Sequence, residues 1–234
     1  GAVCRFVIDA VVRARRTGDF PSGTLLVNVL GSLLLVLLGA HPFLAVSEPA
    51  AAEVLAVEGW VSDHVLAAVV RECERQSYSA VYVTGGPLER GAPLSEFKTY
   101  AELGAATLVQ LGLPAELIHS VPAPPVRRDR TYAAALALHQ WLREHEQLPH
   151  SLTVVSEGAH ARRSRLLYRR TFPEVSQVGV LTVPALEYDP ARWWCSSQGF
   201  RTVISEGICV WFYKFWRCFS TCKSRIIKGT AIFR

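Results

Sequence analysis

Between Asp19 and Glu48 the chain carries no Asp, Glu, Lys or Arg, and Gly23 to Ala40 alone holds eight Leu and three Val. Such a run is apolar all round rather than on one stripe, and about 20 residues of this kind cross the ~30 Å of hydrocarbon in a bilayer. The pattern predicts a transmembrane helix over residues 20–43. Asn28 in its middle is polar but uncharged, a cost that eleven Leu and Val outweigh. A cleaved signal peptide is the other reading of a basic-flanked apolar stretch, although its apolar core usually spans only ~7–15 residues.

Beyond this run the pattern alternates. Val54 to Val57, Ala80 to Val83, Leu117 to Val121, Leu152 to Val155 and Val178 to Val183 read as short buried strands. Between them, apolar residues recur at helical spacing. Val65, Leu66, Val69, Val70 and Cys73 mark one face; Phe97, Tyr100, Ala101, Gly104, Leu108 and Leu111 mark a second, closed by Gly112 and Pro114. Arg130 to Glu146 and the basic stretch Ala161 to Thr171 are two more helices, and Gly207 to Trp216, with four aromatic residues, reads as a last helix packed on the sheet, with a membrane-surface segment as the alternative. Strands alternating with helices predict an α/β, Rossmann-like fold: a mostly parallel sheet with helices on both faces, preceded by one transmembrane helix. The corresponding division is 1–46 for the basic flank and membrane helix, 47–219 for the α/β domain, and 220–234 for a tail that continues no upstream pattern.

Composition narrows the class. At 234 residues, 50% apolar and 19% charged, the chain can bury a sizeable core, which excludes a disordered protein. The net charge of +5 is concentrated at the ends, in Arg13, Arg15 and Arg16 and in six basic residues from Lys214 to Arg234, and points to a membrane surface rather than to nucleic acid. Arg5, Arg13, Arg15 and Arg16 precede the apolar run, whereas Glu48, Glu53, Glu58 and Asp63 follow it before the first later arginine, Arg71. By the positive-inside rule this predicts a single-pass protein of the cytoplasmic membrane with its α/β domain on the extracytoplasmic side.

The candidate chemistry sits where strands end. Gly85 and Gly86 follow the second strand, and glycine permits both close backbone approach to an anion and positive φ. Ser95 and Glu96 either cap the next helix or present a carboxylate. Arg127-Arg128-Asp129-Arg130-Thr131 stands between a proline loop and a helix start, a place suited to gripping phosphate or carboxylate. After the fourth strand come Ser156, His160 and Arg163, where His160 can act as general acid or base and adjacent arginines would lower its pKa and favour the neutral base form. His160, Glu58 and Asp129 are thus candidate catalytic residues. Gly85, Gly86, Glu96, Arg130, Thr131, Ser156 and Arg163 are candidate ligand contacts, and Arg163→Ala is expected to weaken anion binding with little effect on folding. Arg165, Arg169 and Arg170 read as a solvated helix face. No metal-ligand spacing or C-x-x-C is present.

Two resemblances follow from these motifs. Gly1-Ala-Val-Cys-Arg5 and Phe20-Pro-Ser-Gly-Thr-Leu-Leu-Val-Asn-Val-Leu-Gly31 resemble the opening of the CrcB/Fluc fluoride-channel family, which implies that Asn28 is a pore-side residue of one early helix. Residues 41–216 resemble the YdcF/SanA/ElyC family of envelope-associated proteins, through Thr84-Gly-Gly86, Ser95-Glu96, Arg128-Asp-Arg-Thr131, Ser156, His160, Arg163 and a late Glu206. That resemblance implies a Rossmann-like fold with a pocket at the strand ends and a role in cell-envelope upkeep. The chain departs from many members by carrying Glu58-Gly59-Trp60, not a glycine-rich turn, after the first strand.

Three function classes follow. The first is a membrane-anchored envelope protein that binds, and hydrolyses or transfers, an anionic, phosphorylated or lipid-linked envelope precursor. The second is a non-catalytic module using the same pocket, and the third a fluoride-channel fragment. No cofactor is expected, with S-adenosylmethionine as a minor variant.

Overall fold

The β-branched runs pair as expected in the computed structural model, which describes residues 22–89 and 93–216. Strands β1 (Val54–Glu58), β2 (Ala80–Gly85), β3 (Ile118–Pro122), β4 (Ser151–Glu157) and β5 (Gln177–Val183) form one sheet in the order β3-β2-β1-β4-β5. Every pairing is parallel. β1 and β2 are buried at every position, which is why they read as continuous apolar runs rather than alternating ones.

Because successive side chains leave a strand on opposite faces, each strand feeds two cores. On one face Leu55, Val57, Val81, Val83 and Val155 meet Val65, Leu66 and Val69 of α2 (Asp63–Arg75) and Leu108 of α3 (Tyr100–Gln110). On the other, Val54, Ala56, Tyr82, Leu152 and Val154 meet Leu138 and Leu142 of α4 (Arg130–Glu144) and Tyr168 and Phe172 of α5 (Ala161–Thr171). The fold is therefore a Rossmann-like α/β sheet with helices on both faces.

One helix start differs from expectation. The helix following β2 begins at Tyr100, so Phe97 precedes it, and its cap is Thr99 rather than Ser95. Thr99 Oγ1 accepts from the Glu102 amide (3.2 Å) while Glu102 accepts from the Thr99 amide (2.9 Å), a reciprocal capping box.

A third cluster joins the N-terminal helix to the domain. Helix α1 (Ser22–Leu44) contains a stretch, Gly23–Leu44, long and apolar enough to cross a membrane. Its first turns are largely exposed, but Leu44 is buried with Tyr188, Trp193, Val203 and Val210, with Leu37 and Ala40 packed alongside. The indole of Trp193 donates to the Leu37 carbonyl at 2.9 Å. Val203 and Val210 belong to α6 (Ser197–Trp211), which starts ten residues before the expected last helix, capped by Ser196. α6 packs on α1, α5 and the 3-10 segment Pro190–Cys195 instead of lying on the sheet, because α1 supplies the apolar partner for its inward face. Phe212–Trp216 continues α6 as a π turn. The basic flank 1–21, with the Cys4 and Arg5 of the channel-like opening, and the tail 220–234 lie outside the described residues.

Candidate functional site

β1 is paired with β2 on one side and β4 on the other, and the chain winds outward in both directions from there. At such a switch point the connections after the two strands leave in opposite directions and open a crevice at the strand ends. A cavity of ≈ 860 Å³ occupies that place. Glu58 comes to it from β1, Thr84, Gly85 and Gly86 from β2, and Ala123 to Arg128 from the proline loop. Asp129, Arg130 and Thr131 come from the start of α4, His160 from the 3-10 turn after β4, and Arg163 from α5.

The floor is a closed network of buried charge. Glu58, the last residue of β1 and 2% exposed, accepts from Ser156 Oγ (2.6 Å) and lies 3.0 Å from Ser164 Oγ through both of its oxygens. Its Oε1 stands 3.6 Å from His160 Nε2. On the other side of the ring, His160 Nδ1 lies 3.0 Å from Glu206 Oε1, and Arg163 donates to the same carboxylate through Nε (2.7 Å) and Nη2 (2.9 Å). Arg163 Nη2 and His160 Nδ1 are 2.9 Å apart, and two donors cannot bond each other; the Glu206 carboxylate between them is what holds both. With Nδ1–H committed to Glu206, Nε2 faces Glu58 and, at 3.4 Å, Thr131 Oγ1. Trp60 closes the ring edge-on at 4.8 Å between centroids.

These partners set the protonation. Burial alone would push the His160 imidazole down, but the Glu58 charge and the hydrogen bonds to Glu206 and Glu58 outweigh it, and against the opposing Arg163 charge the ring is pushed up to about 9. At neutral pH His160 is an imidazolium, not the neutral base expected from its arginine neighbours. Burial likewise works against the Glu206 carboxylate, yet His160 and Arg163 hold it below the usual carboxylate range. Two carboxylates thus face one imidazolium and one guanidinium, and the floor is balanced within itself. Beneath it, burial and the Glu58 charge push the Tyr168 phenol far up, so that it stays protonated against Thr84 Oγ1 at 3.1 Å.

The rim is built differently. Arg127, Arg128, Asp129 and Arg130 are exposed. Arg130 pairs with Glu89, and Tyr213 donates to Asp129 Oδ1. Asp129 caps α4 with a left-handed backbone (φ 58) and makes no side-chain cap, so its carboxylate does not occupy the first-turn amides of the helix whose residues Arg130 and Thr131 line the cavity. Neither Gly85 nor Gly86 has positive φ, so conformational freedom is not their role. A Cβ on Gly85 would stand 2.7 Å from Tyr100 Cβ and one on Gly59 2.3 Å from Tyr100 O: both glycines let the start of α3 press against the strand ends. A Cβ on Gly86 would meet nothing closer than 3.9 Å, so the glycine leaves space in the cavity it lines.

Of the residues singled out from sequence, Glu58, Gly85, Gly86, Asp129, Arg130, Thr131, His160 and Arg163 line this cavity. Ser156 lies fully buried behind Glu58 and orients it. Glu96 is exposed on the stretch before α3 and is not among the cavity residues, because the capping box of Thr99 and Glu102 starts the helix only after it. Arg165 is not a solvated residue: it pairs with Glu48 at 2.6 Å, while Arg169 and Arg170 are exposed. Sequence reasoning left out Ser164 and did not place Glu206 in the site. Glu206 is the one acidic residue of α6 and shares its inward face with Val203 and Val210, a spacing that marks it as buried. Among the described residues no group of three or more His, Cys, Asp or Glu could hold a metal ion. Compared with known proteins, the chain matches no family model and no curated sequence.

Proposed function

We propose that this chain is a membrane-anchored envelope protein whose α/β domain binds an anionic, phosphorylated or lipid-linked cell-envelope precursor in the cavity at the ends of β1 and β2. The observation that carries this reading is the rim: Arg127, Arg128 and Arg130 and the start of α4, which has no side-chain cap, converge on one cavity whose floor already has its own charge in balance. A phosphoryl group at the rim meets cations that the floor does not neutralise. The resemblance of residues 41–216 to the YdcF/SanA/ElyC family supplies the envelope context. The Gly23–Leu44 stretch supplies the anchor, with the charge asymmetry around it putting the domain on the extracytoplasmic side.

If the bound phosphoester is hydrolysed, the imidazolium of His160 serves as general acid. Water oxygen bonds to phosphorus, the ester P–O bond breaks, Nε2 protonates the leaving oxygen, and the proton lost by the water passes to Glu58. Proton exchange between Glu58 and His160, 3.6 Å apart, then resets the pair. The second reading, a binding module without turnover, is favoured by the saturation of the floor, where each charged group already has partners inside the protein.

Calorimetry of the full chain in detergent with a polyprenyl diphosphate, followed by phosphate release, separates these readings. Binding is expected to weaken in Arg128→Ala and persist in His160→Gln, with turnover in the latter lower by about 10²–10⁴-fold. Binding without turnover in the parent chain establishes the binding module; no binding of the diphosphate overturns the anionic-ligand reading. A C-terminal reporter accessible only from the cytoplasm would overturn the extracytoplasmic placement.

A further inference from the structure

The outward face of α6, which packs on α1 and α5 and not on the sheet, is apolar. Its inward residues are Gly199, Val203, Glu206 and Val210, yet Phe200, Ile204 and Ile208, each four residues apart, are 53%, 36% and 62% exposed. A contiguous apolar stripe on a surface helix marks an interaction face.

The depth of α1 indicates what covers it. The uncharged stretch begins after Asp19, and ~20 residues of helix are needed to cross the hydrocarbon, so the span reaches about Gly39. Docking of α1 to the domain begins at Leu37, whose carbonyl accepts from Trp193, and is complete at the buried Leu44. The parts of the domain packed on these turns lie within about one 5.4 Å helical turn of the hydrocarbon boundary. α6 is one of them, since Val203 and Val210 share a cluster with Leu44 and Leu37. The collar has the chemistry of that depth. Phe43 is half exposed and carries the Arg162 guanidinium 4.0 Å over its ring, and Arg201 is exposed on α6.

We propose that α6 lies on the bilayer surface, with Phe200, Ile204 and Ile208 in the boundary between headgroups and acyl chains. The inference rests on reading α1 as a membrane span. One face of α6 then touches lipid while the other holds Glu206 against His160 and Arg163, which places the cavity about one helix diameter, ~10 Å, from the lipid surface. The ligand class that suits such a site is an anionic headgroup still joined to its lipid.

The test uses the full chain in phosphatidylcholine–phosphatidylglycerol vesicles, with a nitroxide attached through a ketone side chain, so that native thiols stay unlabelled, in place of Ile208, of Val109 on α3, or of Leu34 on α1. Oxygen and nickel-chelate accessibilities report depth. The Ile208 label is expected about 5–10 Å into the headgroup–acyl boundary, between Leu34 in hydrocarbon and Val109 in water. An Ile208 label as water-exposed as Val109, with Leu34 in lipid, overturns the inference and leaves the anchor standing. A Leu34 label in water overturns the anchor itself. Dipolar broadening between Ile208 labels on two chains would put a second copy on the stripe, and this too overturns the inference.

Discussion

The floor and the rim of the cavity use the same residue types to opposite ends. On the floor, the buried His160 and the half-buried Arg163 surround a carboxylate that neither can leave; on the rim, Arg127, Arg128 and Arg130 stand in solvent, and the Arg130–Glu89 pair is of the exposed kind that contributes ~0–1 kcal/mol. Burial makes the difference. In low dielectric an ion without a partner is costly, so the floor is complete before any ligand arrives, whereas the rim keeps solvated cations and one weak exposed pair that a proposed phosphoryl ligand can claim.

Removing the shared carboxylate should break this comparison most severely. Glu206→Ala leaves the buried His160 and the half-buried Arg163 facing Glu58 alone and is expected to cost about 3–5 kcal/mol in chemical denaturation. Arg163→Ala should cost a similar amount, contrary to the expectation that folding would hardly change, because Arg163 holds Glu206 through two bonds. A loss below 1 kcal/mol in both would show that the floor is not a held unit. Next, Gly59→Ala drives a Cβ against Tyr100 O, where backbone must move, and should cost about 1–3 kcal/mol by the same measurement.

The floor should also respond to pH where the rim does not. His160 is raised from 6.5 to about 9 on folding, so its contribution to stability is fully present below pH 6.5 and is lost as pH rises through 9. Denaturation midpoints should fall across that window and flatten there in His160→Gln; an equal slope in both proteins would remove His160 as the group responsible. On the rim, Arg128→Ala should leave stability within about 0.5 kcal/mol while weakening diphosphate binding about tenfold, the value of one charge-assisted hydrogen bond. The smallest change, Gly86→Ala, should be silent in folding and visible only as weaker ligand binding; destabilisation comparable to Gly59→Ala would mean that Gly86 serves packing instead.

The sheet was legible because its signals are local. β4 and α5 follow from Leu152 to Val155 and from the spacing of Ala161, Ser164, Leu167, Tyr168 and Thr171, and strand ends gather on one side of any parallel sheet. The convergence expected of Glu58, Gly86, Arg130, Ser156 and His160 followed from that alone, and all but Ser156, which lies behind Glu58, line the cavity. The His160 charge state did not. Its sequence neighbours are arginines, which lower an imidazole pKa, whereas the carboxylates that raise it come from 102 residues before and 46 after and meet it only through the fold. Glu96 failed for a nearer reason: Thr99 and Glu102 offer a capping box three residues on, and the helix starts there, leaving Glu96 outside. α6 was misplaced because its inward face matches a sheet or a second helix equally well, and only the docking of α1 decides between them.

The connection from α1 into the sheet closes something as well as joining it. β5 is an outer strand, and an outer strand presents unpaired amides and carbonyls on which another chain can add. Here Glu48 forms an antiparallel bridge with Val180, with hydrogen bonds of 2.8 and 3.0 Å in the two directions, and the Thr182 hydroxyl donates to the Val46 carbonyl at 2.5 Å. Gly179 permits this, since a Cβ there would stand 2.3 Å from the Ala50 amide nitrogen. The chain leaving the apolar helix thus serves as a guard strip along the sheet's margin. Any truncation that removes the helix together with residues 46–50 strips this guard as well, and self-association along β5 then becomes a hazard independent of the loss of the apolar helix itself.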